Sequence, residues 1–294
     1  MWSRLLQRLP EHWWPYIQLM RLDKPIGIYL LLWPTLWGLW IAGQGKPGAG
    51  LVVLFVLGVV WMRSAGCVIN DMLDARFDRH VARTCQRPLA AGVLNRRQAF
   101  YTLLALLALA ASLLLFLPPA ALKLVPAALF MALTYPLMKR YTYLPQVYLG
   151  AAFGLGIPMA FAAQSGTIPP LAWLLFAANI LWVVAYDTEY AMVDREDDLK
   201  IGVKSTAILF DDLDRQAIGL LQLLFLWAMW LVGNQAHLDL FYRLGLLFAA
   251  LLFLWQQWLI RKREGPGCFR AFLHNHWVGL VIFAGIVLDY AGRA

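Results

Sequence analysis

The segment GCVINDMLDARFDRH, Gly66–His80, closes a long apolar run and crowds Asn70, Asp71, Asp74 and Asp78 together. Carboxylates this close repel one another, and an Asp at the centre of a lipid-embedded helix costs about 2.5–3.5 kcal/mol. A chain that keeps them at the edge of a membrane must offset that cost with cations. Reading outward from this stretch decides between a solvated loop and a charged site at the mouth of a helical bundle.

The surrounding composition favours a membrane. Of the 294 residues, 61% are hydrophobic, only 14% are charged, and fourteen are Trp. An ordinary soluble domain has about 45–50% apolar and about 25% charged residues. Apolar runs of about 20 residues, enough for a ~30 Å hydrocarbon core, recur along the whole chain. Most of them lack the polar face at helical period that a soluble helix would carry. The fold class expected is therefore all-α, a polytopic bundle of nine transmembrane helices over 25–43, 49–69, 98–117, 121–138, 145–163, 170–187, 217–234, 241–260 and 274–291. Pro34, Pro126 and Pro158 fall inside these spans as expected kinks.

The first 24 residues lack the compact apolar core and small-residue cleavage site of a secretory signal. Their Arg, Trp and Leu suit either an amphipathic segment on the membrane surface or a plain cytoplasmic lead-in. Cys67, Cys85 and Cys268 have no metal-ligand spacing and predict neither a disulfide nor zinc. The formal charge of +8 reads as topology rather than nucleic-acid binding. Most of the 25 Lys and Arg fall on alternate loops, and only Lys46, Lys123, Arg243 and Arg293 lie on the opposite side. By the positive-inside rule the N-terminus is cytoplasmic and the C-terminus is outside.

Asn70, Asp74 and Asp78 follow one another at i, i+4 and i+8 and share a face on a continuing helix. A second cluster, YDTEYAMVDREDDLKIGVKS, runs from Tyr186 to Ser205, and Asp187, Asp194 and Asp198 fall within a ~40° arc of a helix. Both clusters follow an even-numbered span and so share the cytoplasmic side. One acidic loop reads as a solvated face; two at helical spacing on one side read as a site. Oxygen-only donors suit a hard cation such as Mg²⁺, which keeps several waters and binds a few carboxylates together with substrate phosphates. Neighbouring Arg79, Arg83, Arg87, Lys200 and Lys204 can neutralise phosphate oxygens. A metal-bound diphosphate is the simplest ligand that fits. Asp211, Asp212 and Asp214 are expected to cap the seventh span and stand outside the site, and Glu189, pointing away from the Asp187 face, is expected in solvent.

With these residues in view, the chain resembles the intramembrane aromatic prenyltransferase superfamily, in its hydroxybenzoate branch. Asn70, Asp74 and Asp78 match the N-x-x-x-D-x-x-x-D motif, and Asp194 and Asp198 match D-x-x-x-D. The stretches RLDKPIG, LLWPTLW, RSAGCVIND, YPLMKRYTYLPQ, YDTEYAMVDREDD and KSTAILF extend the similarity over nearly the whole chain. The resemblance implies one prenyltransferase domain over 1–294, with nine helices around a central cavity in a bacterial inner membrane. It implies transfer of a polyprenyl group from polyprenyl diphosphate to the ring carbon ortho to the hydroxyl of 4-hydroxybenzoate, in ubiquinone biosynthesis. No protein partner is required, and membrane lipid is the only other partner. Mg²⁺ would be held by Asn70, Asp74, Asp78, Asp194 and Asp198, with Asp71 at the substrate.

Further residues take expected roles. Arg63, two helical turns deeper than Asn70, is expensive in a membrane and reads the acceptor carboxylate or a phosphate oxygen, or else pairs with a structural acid. Arg140, with Lys139 beside it, matches a basic position that the superfamily places near its substrates, or is a plain topology charge. Asp187 either supports a metal ligand or accepts the ring proton, and Tyr190 is placed to hydrogen-bond the phenol. Two rivals stand beside this reading. A transporter would put its acids near the midplane rather than at helix ends; a sibling enzyme would use haem, a naphthoate or chlorophyllide as acceptor.

Overall fold

The computed structural model describes residues 10–79 and 84–293, and among them it holds helices, turns and loops with no strand. Arg83 and the first nine residues lie outside the described residues. The α-helices, in chain order, are α1 (Trp14–Leu19), α2 (Ile26–Ala42), α3 (Ala49–Asp78), α4 (Arg96–Leu113), α5 (Pro119–Leu122), α6 (Val125–Tyr141) and α7 (Pro145–Gly154). They continue with α8 (Gly156–Ser165), α9 (Pro170–Ile201), α10 (Thr206–Phe210), α11 (Asp214–Gln235), α12 (Leu240–Leu259) and α13 (Gly265–Ala291).

Eight helical stretches are long and apolar enough to cross a membrane: Ala49–Ala75, Arg96–Phe116, Pro119–Tyr141, Pro145–Ser165, Pro170–Lys200, Thr206–Gln235, Leu240–Lys262 and Gly265–Ala291. The chain is a multi-pass membrane protein. The first expected span is α2, a 17-residue apolar helix; at 1.5 Å per residue it covers about 25 Å. Eight helical stretches, rather than nine, therefore reach span length among the described residues.

Pro34 lies inside α2 as expected, while Pro126 and Pro158 act in two other ways. Pro126 lies in the first turn of α6 and starts that helix instead of kinking one, since its missing N–H would be unpaired there anyway. Pro158 sits four residues after Gly154, the last residue of α7. A proline ring clashes with the carbonyl four residues back, and the span breaks there into α7 and α8.

Two compact units make up the chain: Met1–Ile28 with Leu54–Phe116, and Tyr29–Val53 with Leu117–Ala294. In the first, α1, α3 and α4 bury a core of Leu19, Ala65, Val68, Ala75, Leu89, Leu94, Ala99 and Leu106. A reciprocal capping box starts α4: the Asn95 side chain accepts the Gln98 N–H, and the Gln98 side chain accepts the Asn95 N–H, both at 2.9 Å.

In the second unit α9 is the central helix, packed on α7, α11 and α13. Trp37, Trp182, Tyr186 and Phe225 are fully buried around it, with Trp182 stacked 5.8 Å from Phe225. The α12–α13 contact depends on small residues, as close helix crossings in lipid do. A Cβ on Gly285 would lie 2.8 Å from the Phe241 carbonyl oxygen, and one on Gly245 would lie 2.8 Å from that of Val281. Asp289, near the end of α13, accepts the N–H groups of Asp239 (2.9 Å) and Tyr242 (2.8 Å) and so caps the start of α12. Backbone atoms cannot swing aside as side chains can. Gly285→Leu is therefore expected to part α12 from α13 and to lower stability by about 2 kcal/mol or more; an unchanged melting temperature in detergent would contradict this packing.

Candidate active site

Both acidic motifs ride on helices that outlast their apolar runs. Helix α3 continues past the expected end of its span to Asp78, and α9 continues to Ile201. Asn70, Asp74 and Asp78 therefore lie on one face over about 12 Å of helix, and Asp187, Asp194 and Asp198 on one face over about 16 Å.

In the first unit, Asp71 and Asp78 are met by arginine side chains. Asp71 is 2% exposed and accepts Arg21 Nη2 on both oxygens, at 2.8 and 2.9 Å. Arg87 Nη1 bridges Asp71 (3.2 Å) and Asp78 (2.9 Å). Two guanidinium groups thus face two carboxylates, which is what burial of such groups demands. Arg21 looked like a topology charge in the sequence; only the fold brings it to a carboxylate fifty positions away. The same contacts tie down the described part of the following loop. Thr84 Oγ1 donates to the Asp78 carbonyl (3.1 Å) and Arg79 Nε donates to the Ala90 carbonyl (3.2 Å). Asp74 is buried on the same helix and Asn70 is half-buried. Deeper in, half-buried Arg63 donates to Cys67 Sγ at 3.1 Å and occupies space that Gly27 leaves open, where a Cβ would collide with its guanidinium.

In the second unit, Asp187, Asp194 and Asp198 are half-buried. The loop after Asp198 is bound to the basic end of α6: the Lys204 N–H donates to the Lys139 carbonyl at 3.0 Å, and Lys204 Nζ to the Tyr141 carbonyl at 3.3 Å. Lys139 and exposed Arg140 are held near the second acidic motif by these bonds. Tyr190 is half-buried, with its ring 4.9 Å from that of Phe272. Lys200 is exposed and forms a surface pair with Asp197 at 3.2 Å, an arrangement that contributes little.

One expectation is overturned here and another is extended. Glu189 is not in solvent: it is fully buried, and its Oε2 accepts Asn275 Nδ2 at 2.9 Å, while Asn275 Oδ1 accepts Trp182 Nε1 at 2.9 Å. It does point away from Asp187, but α13 rather than water lies on that side. Asp214 begins α11 as expected, and its Oδ1 accepts the Arg215 N–H at 2.6 Å, but it does more than start the helix. It is fully buried in the first turn of α11, bridging Arg195 Nη2 (2.6 Å) and Arg263 Nε (2.8 Å), while Leu213 holds the cap position without a side-chain bond. The hydrogen bond to Asp214 also holds the Arg263 pKa above its ordinary value.

Among the described residues no three His, Cys, Asp or Glu side chains converge as a metal cluster. The donors present nonetheless fit Mg²⁺, which needs only one or two carboxylates because water and phosphate complete its shell. The Arg87 bridge makes a direct prediction. Hydrogen bonds to charged groups contribute about 1.5–3 kcal/mol, so Arg87→Ala should speed amide exchange over residues 84–94 by about tenfold or more. Unaltered exchange would show that Arg87 does not hold that loop.

Residues 31–279 match the model of the UbiA prenyltransferase family. Over its full length the chain is 56% identical to the 4-hydroxybenzoate octaprenyltransferase of Ectopseudomonas mendocina, with both chains covered completely. It is 57% identical to the protein of the same name from Azotobacter vinelandii, over 99% of each. Among solved structures, the apo form of a UbiA homolog from Aeropyrum pernix K1 superposes with a TM-score of 0.79 at 25% identity, over 89% of this chain and 97% of that one. A UbiA homolog from Archaeoglobus fulgidus bound to GPP and Mg²⁺ shares the fold, with a TM-score of 0.71 at 18% identity over 93% and 99%. Both acidic motifs, the apolar helices that carry them and these full-length matches lead to one conclusion: the chain belongs to the UbiA prenyltransferase family.

Proposed function

We infer that the protein transfers a polyprenyl group from polyprenyl diphosphate to the carbon ortho to the hydroxyl of 4-hydroxybenzoate, releasing diphosphate. The observation that carries this reading is the end-to-end identity of 56–57% with proteins named for that reaction. In the reaction the allylic C–O bond breaks with its electron pair leaving on diphosphate. The ring carbon supplies the pair for the new C–C bond, and loss of its proton restores the aromatic ring.

The residues divide this work. Asn70, Asp74 and Asp78 on α3 and Asp194 and Asp198 on α9 are the oxygen donors for Mg²⁺, the ion bound together with GPP in the Archaeoglobus fulgidus homolog. When bound, Mg²⁺ supplies positive charge against the phosphate oxygens and eases departure of the leaving group. Arg79, Arg83, Arg87, Lys139, Arg140 and Lys200 give further positive charge for the diphosphate. Asp71 acts through the guanidinium groups it holds. Arg63, half-buried below the motif, reads the acceptor carboxylate. Tyr190 orients the phenol, and Asp187 takes the ring proton. The apolar spans exclude water that would otherwise trap an allylic cation.

The alternation of basic loops supports an N-terminus and both acidic motifs on the cytoplasmic side of a bacterial inner membrane, with the C-terminus opposite. The full-length match supports one prenyltransferase domain over the whole chain.

Purified protein incubated with 4-hydroxybenzoate, a polyprenyl diphosphate and Mg²⁺ is expected to yield a product heavier than the acceptor by one prenyl group less a hydrogen. EDTA should abolish turnover and added Mg²⁺ should restore it. Product from a naphthoate acceptor in place of 4-hydroxybenzoate would reassign the substrate. Asp74→Asn and Asp194→Asn should each reduce kcat by about a hundredfold or more, with the fold intact by size exclusion; near-normal turnover would refute their role as metal donors.

A further inference from the structure

Helices α11 and α12 enclose a groove of about 460 Å³ that plays no part in the reaction above. Its wall along α11 runs from Arg215 through Gly219 and Leu223 to Leu226, and α12 contributes Phe253, Leu254 and Gln257. Leu220, Leu223 and Leu254 at its rim are 58–67% exposed, so in a membrane this face meets lipid. An ordinary lipid-facing groove would be apolar throughout. This one is graded from end to end.

At one end Arg215 is half-buried; its Nη1 donates to the Arg261 carbonyl at 3.3 Å, and its Nε is buried with no hydrogen-bond partner. Arg261 stands beside it, its guanidinium 3.8 Å from the centre of the Trp258 ring, and Trp258 stacks on Trp255 at 4.7 Å. Paired Trp with Arg marks the headgroup level of a bilayer. One turn further in are three amides. Gln222 Nε2 donates to Gln256 Oε1 (2.9 Å) and Gln257 Nε2 donates to Gln222 Oε1 (3.1 Å). The fully buried Gln256 has no partner for its own Nε2. Gln222 and Gln257 line the groove, and each Nε2 has a second N–H besides the one used within the cluster. Beyond it the lining is apolar. Arg215 to Leu226 spans about 16 Å of helix, close to half of a ~30 Å hydrocarbon core.

We propose that this groove holds one anionic phospholipid. Its phosphate lies at Arg215 and Arg261, its glycerol ester oxygens accept from the amide cluster, and one acyl chain lies over Gly219 along Leu223, Leu226 and Leu254. The charged end, the amide N–H groups and the apolar run come in the order of a phospholipid's own parts, and the length matches one leaflet. Gly219 keeps the groove open: a Cβ there would meet only Gln257 Nε2, at 3.6 Å.

The test uses the full chain in nanodiscs of either phosphatidylglycerol or phosphatidylcholine, followed by release into mild detergent and native mass spectrometry. Wild type should retain one phosphatidylglycerol per chain and little phosphatidylcholine. Arg215→Gln should cut retention by about tenfold, and Arg215→Lys should restore most of it. Gly219→Leu, which fills the groove without touching charge, should also cut it. Prenyl transfer in the same preparations reports that each variant is folded, since neither position belongs to the reaction machinery. Equal retention of the two lipids, or retention that survives both Arg215→Gln and Gly219→Leu, would overturn the proposal.

Discussion

A carboxylate buried on a membrane-spanning helix needs a partner that offsets its lost hydration, and in this protein guanidinium groups meet several of them. Asp71 and Asp78 are met by Arg21 and Arg87. Asp214 is met by Arg195 and Arg263. Each arrangement joins residues far apart in sequence, so neutralising an acid also fixes where a helix or loop can lie. A buried ion pair is weak grounds for net stability against an apolar replacement, but losing one partner leaves a stranded charge and is costly. The acids thus act as constraints on geometry more than as sources of stability.

The same constraint explains the chemistry. In the proposed reaction a diphosphate would bring negative charge to a region already rich in carboxylates, so cations would accompany it. Arginines that neutralise Asp71 and Asp78 in the protein alone belong to the same residue class that recognises phosphate oxygens, with planar forks and fixed charge. In the proposed site, oxygen-only donors on helical extensions, rather than thiolates or imidazoles, suit a hard ion. The basic end of α6, bound through Lys139 and Lys204 to the loop after α9, adds charge near the second motif.

Much of this was legible in the chain. The apolar runs and their charged loops disclosed an all-α membrane protein, and the spacing of Asn70, Asp74 and Asp78 holds because α3 continues unbroken to Asp78. What escaped the reading has physical causes. Glu189 is flanked by polar residues and so looked solvated; its burial depends on Asn275, 86 positions away. Asp214 sits in an ordinary capping sequence, and nothing local shows that Arg195 and Arg263 will enclose it. Arg21 looks the same as any topology charge until α1 and α3 meet. Pro126 and Pro158 announced irregular helices, but whether a proline kinks, starts or splits a span depends on which carbonyl it frees. Local pattern determines elements; long-range pairing determines which charges are buried.

The central claim is that the two acidic motifs hold a divalent cation with an isoprenoid diphosphate. Anomalous diffraction from crystals grown with Mn²⁺ and an unreactive thio-linked prenyl diphosphate tests it most directly. The account predicts manganese within about 2.0–2.3 Å of oxygens from Asp74 or Asp78 and from Asp194 or Asp198, with the analogue's phosphates completing its shell. Manganese and phosphates found elsewhere, with those four carboxylates turned to bulk water, would contradict it.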